Sequence, residues 1–300
     1  MASFQENRRG FIALTSACAL FTINDTLTKL SALIYPSGEV LFARGIGTLI
    51  CVGAVLAYAH QLSWLPHIIR SSVILRAVLD AVANTVFILA LSRMRLADLL
   101  AINLVSPLML TMLLAFFFGE PVGRRRWAAI LIGLLGTLFI VKPSPASFNI
   151  WALVAFMSAA ASAARDVATR RIDPHVPTLA ITFVSLVAAT LSGLILAVVL
   201  EEQWTVAAPK YIGIIGVAAL VQSVGTTLAV SAFRNVDISV VAPFRYTLLI
   251  WGALSGFLVF GEIPDNWSFF GSLLIVGSGL YMLHRERVRH RQISAKAAIH

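Results

Sequence analysis

Several side chains that can ionise or hydrogen-bond lie inside apolar runs of this sequence. The run NDTLTKL sets Asn24, Asp25, Thr28 and Lys29 along one helical face, and the spacing of Asp25 and Lys29 puts them within salt-bridging reach. Arg76, Asp80 and Asn84 recur every four residues as a polar stripe on an otherwise apolar cylinder. Arg44 stands about two turns below a span end, where it can snorkel to the interface or meet Asp25 or Asp80. In the run APFRYT, Pro243, Arg245 and Tyr246 combine a freed backbone carbonyl, a fixed cation and an amphipathic ring, the best single place for an anion or a ring. Asn103 and Ser106 beside Pro107, with Gln222, Ser223 and Thr226, add neutral groups that hold an uncharged polar molecule or bond helices together. An ionisable group at the centre of a membrane span costs roughly 3 kcal/mol on insertion scales, so these side chains have to face a protein interior or a wet cavity. The chemistry they suit is reversible binding of a small solute, although a structural ion pair between Asp25 and Lys29 would satisfy the same spacing.

The usual parts of a catalyst are missing. His60, His67, His175, His284, His290 and His300 fall in loops, span ends or the tail, and no HExxH, GxSxG, P-loop, CxxC or paired acidic metal motif occurs. The sequence therefore points to no metal, no cofactor and no enzyme, with a membrane-embedded enzyme as the alternative class. A channel would need a symmetric filter of repeated carbonyl or carboxylate ligands, whereas the mixture here is asymmetric. Cys18 and Cys51 both lie inside apolar runs and read as small core residues, not as a disulfide.

The elements that must position these groups are membrane helices. Of 300 residues, 59% are hydrophobic and 12% charged, against roughly 25% charged in a soluble domain. With a mean hydropathy of +0.87, the chain cannot hide its apolar surface in water. Apolar runs predict ten spans, at about 11–33, 37–59, 70–91, 97–118, 125–141, 149–168, 177–200, 210–232, 238–260 and 266–283. Arg8 and Arg9 before the first run resemble a signal peptide, but the run contains Asp25 and Lys29 and lacks a cleavage site, so it reads as a retained helix. With the N-terminus cytoplasmic, fifteen of the 23 basic residues fall on the inner side and four on the outer, which places both termini in the cytoplasm. The net charge of +9 is accordingly a topology signal and not a nucleic-acid footprint. The fifth and tenth spans carry no ionisable residue between Trp127 and Ile140 or between Phe269 and Leu283, and read as lipid-facing supports or a homodimer contact. The GxxxG from Gly252 to Gly256 and the run from Ala159 to Ala164 read as close helix packing.

The chain also repeats itself. A shift of 141 residues matches Asp25 and Lys29 with Asp166 and Arg170, Pro36 with Pro177, Thr85 with Thr226 and Arg93 with Arg234; one residue more matches Gly119 and Glu120 with Gly261 and Glu262. The halves, residues 11–141 and 149–283, are followed by a basic cytoplasmic tail, 284–300. Five spans are an odd number, so the second half enters the bilayer from the opposite side. The predicted fold is an all-α membrane protein of ten transmembrane helices in two inverted five-helix repeats, an arrangement that secondary transporters use to place a site between halves that rock.

On these residues the chain resembles the EamA branch of the drug/metabolite transporter superfamily. The likeness runs through the Asn24 to Lys29 motif, PSGEVLFAR from Pro36, LRAVLD from Leu75, the SP to GE run from Ser106, RDVATRR from Arg165, and APFRYT with GEIPD. It implies a carrier in the cell inner membrane with a central cavity lined by spans one to four and six to nine, working without ATP on a small molecule. Such carriers handle amino acids, nucleotide-like metabolites, S-adenosylmethionine, riboflavin and drugs. The pairing of NDxxxK with APFRYT is most similar to the riboflavin and S-adenosylmethionine uptake carriers, which makes riboflavin the expected substrate, with amino-acid or drug export and S-adenosylmethionine uptake as alternatives. An isoalloxazine ring would stack on Tyr246 or Arg245 and bond Asn84, Asn103 and Gln222. The first span lacks a tryptophan that many EamA exporters carry.

Overall fold

The computed structural model describes residues 4–68, 70–119, 122–142, 149–173, 175–205, 208–232 and 241–297. They form α1 (Phe4–Ala32), α2 (Ser37–Tyr58), a 3-10 turn (Leu62–Trp64) leading into the short α3 (Leu65–Ile68), α4 (Ser71–Leu91), α5 (Leu96–Asn103), α6 (Ser106–Phe118) and α7 (Arg124–Val141). The second half has α8 (Ile150–Thr169), α9 (Thr178–Val199), α10 (Pro209–Ala232), a 3-10 segment (Ala242–Tyr246), α11 (Thr247–Phe260) and α12 (Asn266–Ala297). Among the described residues nine helical segments are long and apolar enough to cross a membrane, α5 with α6 counting as one. The fifth helix, α7, opens on Arg124, Arg125 and Arg126, so its apolar stretch begins only at Trp127.

Local chemistry explains most boundaries. Pro36 and Pro177 cap α2 and α9, where a residue without an N–H costs nothing. Gly119 and Gly261 stop α6 and α11 with φ of 64° and 65°, a left-handed conformation that glycine adopts without a side-chain clash. The fourth span differs from the expected continuous helix: α5 ends at Asn103 and α6 restarts at Ser106. Pro107 supplies the reason, since its ring collides with the carbonyl four residues earlier and it donates no hydrogen bond. The ninth span opens correspondingly, with Pro243 in a 3-10 segment that gives way to α11. Residues 284–297, expected as a tail, continue α12 as helix.

The two halves interleave. The first helix of each half packs against the third and fourth spans of the other: α1 against α10 and α11, α8 against α4, α5 and α6. Ala155, Ala159 and Ala163 on α8 have no exposed surface, and Ser158 Oγ donates to the Ala83 carbonyl at 2.9 Å, so small residues let this helix into the core of the first half. That core centres on Leu96, Leu99, Leu100, Ile102 and Leu108. Gly252 packs on Leu100, in keeping with its expected packing role. The matching helices α2 and α9 cross where a β-carbon on Gly38 would meet the Gly193 carbonyl at 2.7 Å and one on Gly193 the Gly38 carbonyl at 2.8 Å. Helices α7 and α12 cross in the same reciprocal way at Gly136 and Gly271, at 2.7 and 2.5 Å.

Candidate functional site

We call the end of the bundle where α1 begins proximal and the end where it stops distal. Asp25 on α1 and Arg44 on α2 lie at one depth, each about 10 Å below the distal end at 1.5 Å per residue. Asn24 joins them. Its Nδ2 donates to Asp25 Oδ1 at 3.1 Å, and Arg44 Nη1 donates to its Oδ1 at 3.5 Å. Asn24 is 1% exposed, and Thr28, one turn on and wholly buried, has a hydroxyl without a hydrogen-bond partner among the described residues. Within 4.0 Å, Asp25 has no ion pair among those residues.

The expected pairing of Asp25 with Lys29 is therefore corrected. Lys29 bonds Glu262 on the loop before α12, donates to the Met94 carbonyl at 2.6 Å, and lies 4.7 Å from the centre of the Phe260 ring. A four-residue spacing puts two groups on one face, but a four-carbon stem near a helix end reaches the neighbouring loop instead, while Asn24 occupies Asp25.

A second polar cluster lies nearer the proximal end, between α4, α8 and α9. Asp80 Oδ1 accepts from Arg165 Nη1 at 2.7 Å, and Arg165 also pairs with Asp166 at 2.9 Å. Arg76 does not pair with Asp80 in this arrangement; its Nε donates to Thr169 Oγ1 at 3.0 Å and its Nη1 to Ser185 Oγ. Asn84 Nδ2 donates to the Asp80 carbonyl of its own helix at 2.9 Å. Arg165 was not among the expected site residues. The visible clue was its match, 141 residues on, with Asn24.

The remaining candidates separate. Asn103 sits at the break between α5 and α6, and Gln222 on α10; both are half-buried. Arg245 is exposed, and its carbonyl faces the Cys18 thiol at 3.8 Å. Tyr246 points elsewhere: it is buried, and a β-carbon at Gly279 of α12 would collide with its hydroxyl. The ring expected to line the cavity is a packing group between spans nine and ten.

The distal end is tied across the halves. Glu262 receives Lys29 and also the Leu96 N–H at 2.8 Å, capping α5 from the other half. Arg95 pairs with Asp98 at 2.7 Å and Asp265 at 3.0 Å, donates to the Ile263 carbonyl, and shares Asp265 with Lys142. Burial pushes the Asp265 carboxyl up, but Lys142, the Ser268 N–H and Arg95 outweigh it and hold it well below the usual carboxylate range. The matched residues Glu120 and Arg234 lie outside the described residues.

Within the first half, α1, α2 and α4 touch one another sparsely while each packs tightly on a helix of the second half. The polar face of α4 meets α8 and α9 of the second half, while Asn24 and Asp25 on α1 face Arg44 on α2.

A family model, the EamA-like transporter family, matches residues 8–142 and 149–283. The chain is 27% identical over 277 residues to the pseudopaline exporter CntI of Pseudomonas aeruginosa, covering 90% of this chain and 94% of that protein. It is 22% identical over 270 residues to an S-adenosylmethionine uptake transporter of Rickettsia prowazekii, covering 89% of each. A riboflavin transporter of Rhizobium johnstonii is 26% identical over 219 residues, 72% of this chain and 71% of that one. A solved crystal structure superposes with a TM-score of 0.61 at 19% identity, over 93% of this chain and 98% of its own, which supports the fold alone.

Proposed function

Because the chain belongs to the EamA-like transporter family and is a multi-pass membrane transporter of that type, we propose that it carries a small zwitterionic metabolite by alternating access. The observation that carries this reading is the Arg44–Asn24–Asp25 set. A guanidinium and a carboxylate stand at one depth, bridged by a buried amide and not joined to each other, so each has bonding capacity left for an opposite charge. A solute bearing an ammonium and a carboxylate matches both, as the amino-acid end of S-adenosylmethionine does. Residues 11–141 and 149–283 serve as the rocking units, and distal opening requires Lys29 to leave Glu262. The basic balance supports both termini, with the 284–300 segment, on the cytoplasmic side of a cell's inner membrane.

Riboflavin is the second reading, favoured by the 26% identical riboflavin transporter. It needs a stacking face, and with Tyr246 against α12 the exposed Arg245 guanidinium is the group left to supply one. Purified protein in liposomes, tested for uptake and counterflow of labelled S-adenosylmethionine, amino acids and riboflavin, separates the two. Saturable flux of a zwitterion, lost in Asp25→Asn and Arg44→Gln, is expected. Flux of riboflavin alone, unaffected by either change, would replace the zwitterion with the flavin.

A further inference from the structure

At the proximal end a cavity of about 470 Å³ opens between two connectors from opposite halves, residues 59–70 and 170–177. Arg70, Arg170 and Arg171 line it, with the single acid Asp173. Its Oδ1 accepts from the His175 backbone N–H at 2.9 Å and lies 2.8 Å from the His175 ring. These same bonds hold the Asp173 carboxyl below its ordinary range. With three arginines against one acid the lining is positive, and guanidinium groups are the side chains whose forked donors fit phosphate oxygens two at a time.

Its base is closed by Ile68, Val73 and Ile172, which are all buried, so the exposed part of the site is the arginine-rich rim and Trp64. Trp64, at the mouth, has the amphipathic ring enriched where bilayers meet water. The cavity sits where the second and sixth spans end and the third and seventh begin, which is headgroup depth for a bilayer around these helices. A soluble anion would use the arginines alone, whereas a phospholipid also lays its glycerol and upper chains against Trp64 and the bilayer at this depth.

We propose that this cavity is a binding site for a phosphate-bearing headgroup, supplied by an anionic phospholipid, which would tie a connector of one half to a connector of the other. Basic pockets between helices recognise such headgroups through near-surface Arg and Lys. The site is separate from the Asn24–Asp25–Arg44 set, and its test reads lipid retention, not flux, so it stands or falls independently of the substrate.

The test uses the full-length protein in detergent, titrated with phosphatidylglycerol, phosphatidylcholine or inorganic phosphate and read by native mass spectrometry. Phosphatidylglycerol is expected to bind at least about tenfold tighter than phosphatidylcholine, and an R70Q/R171Q double variant to lose that preference. Phosphate that displaces phosphatidylglycerol and binds equally well alone keeps the site but assigns it to a soluble anion. Equal retention of the two lipids, or an unchanged preference in the double variant, overturns it. If that variant fails to insert, R70K/R171K keeps the charge without the forked donors and is expected to weaken phosphatidylglycerol severalfold; no change there overturns the proposal as well.

Discussion

Helices α1 and α8 hold matching places, each opening its half and each wedged among helices of the other, yet their polar residues are used differently. On α8 an arginine precedes the aspartate, and Arg165 bridges Asp166 to Asp80 across the halves. On α1 the matching position is Asn24, an amide that bonds Asp25 without neutralising it. One copy closes its charges into a structural network, and the other leaves a carboxylate and Arg44 facing each other through an amide. Duplication supplies the same backbone twice; the residue before the aspartate decides whether a copy pairs its charges across the halves or holds the carboxylate through an amide.

The sharpest test of that contrast compares Asp25→Asn with Asp166→Asn in liposome flux. The first is expected to lower transport by about a hundredfold, the loss of a charged hydrogen-bonding partner in a low-dielectric site. The second is expected to lower it less than about fivefold, because Arg165 keeps Asp80; equal losses would erase the distinction. Next in size, Asn24→Arg, which writes the α8 pattern into α1, is expected to cut flux at least about tenfold with normal insertion, and wild-type flux would show that Asp25 needs no free bonding capacity.

The reverse swap, Arg165→Asn, acts on stability. It strands Asp80 and Asp166, which are 14% and 32% exposed, at a cost of about 2 kcal/mol, below the loss for a fully buried pair. Thermal unfolding in detergent reads this, and an unchanged midpoint would remove the network from the structural account. At the distal end, Lys29→Gln is expected to change flux severalfold, with partial recovery in K29E/E262K; no recovery would mean that the contact is not an exchangeable ion pair.

The smallest expected effect is pH-dependent and concerns Asp265. Its folded carboxyl is held below its unfolded value, so its contribution is complete above about pH 4 and fades as pH falls through the lowered folded value. Asp265→Asn is expected to lower the melting midpoint by about a degree or two at pH 7, and by less at pH 3. A difference that grows on acidification would contradict the assigned ion pairs.

Much of the architecture was legible because it depends on local rules. Apolar run length gave the spans, Pro36 and Pro177 their starts, and the 141-residue match the two halves. The break in the fourth span was missed although Pro107 was in view, because a proline can kink a helix or split it, and packing decides which. Side-chain partners were the least legible. The repeat every four residues put Arg76, Asp80 and Asn84 on one face, but that face meets α8 and α9, whose Thr169, Ser185 and Arg165 took up the bonds. Tyr246 looked like a ligand group from its neighbours in sequence, and the absence of a side chain at Gly279, 33 residues on, gave its hydroxyl somewhere else to go.

The reciprocal glycine crossings of α2 with α9 and of α7 with α12 place bare backbone against bare backbone at two points shared by the halves. Even a methyl group on any of these four glycines would stand under 3 Å from the opposite carbonyl, so the absence of a side chain there sets how near the two halves can come.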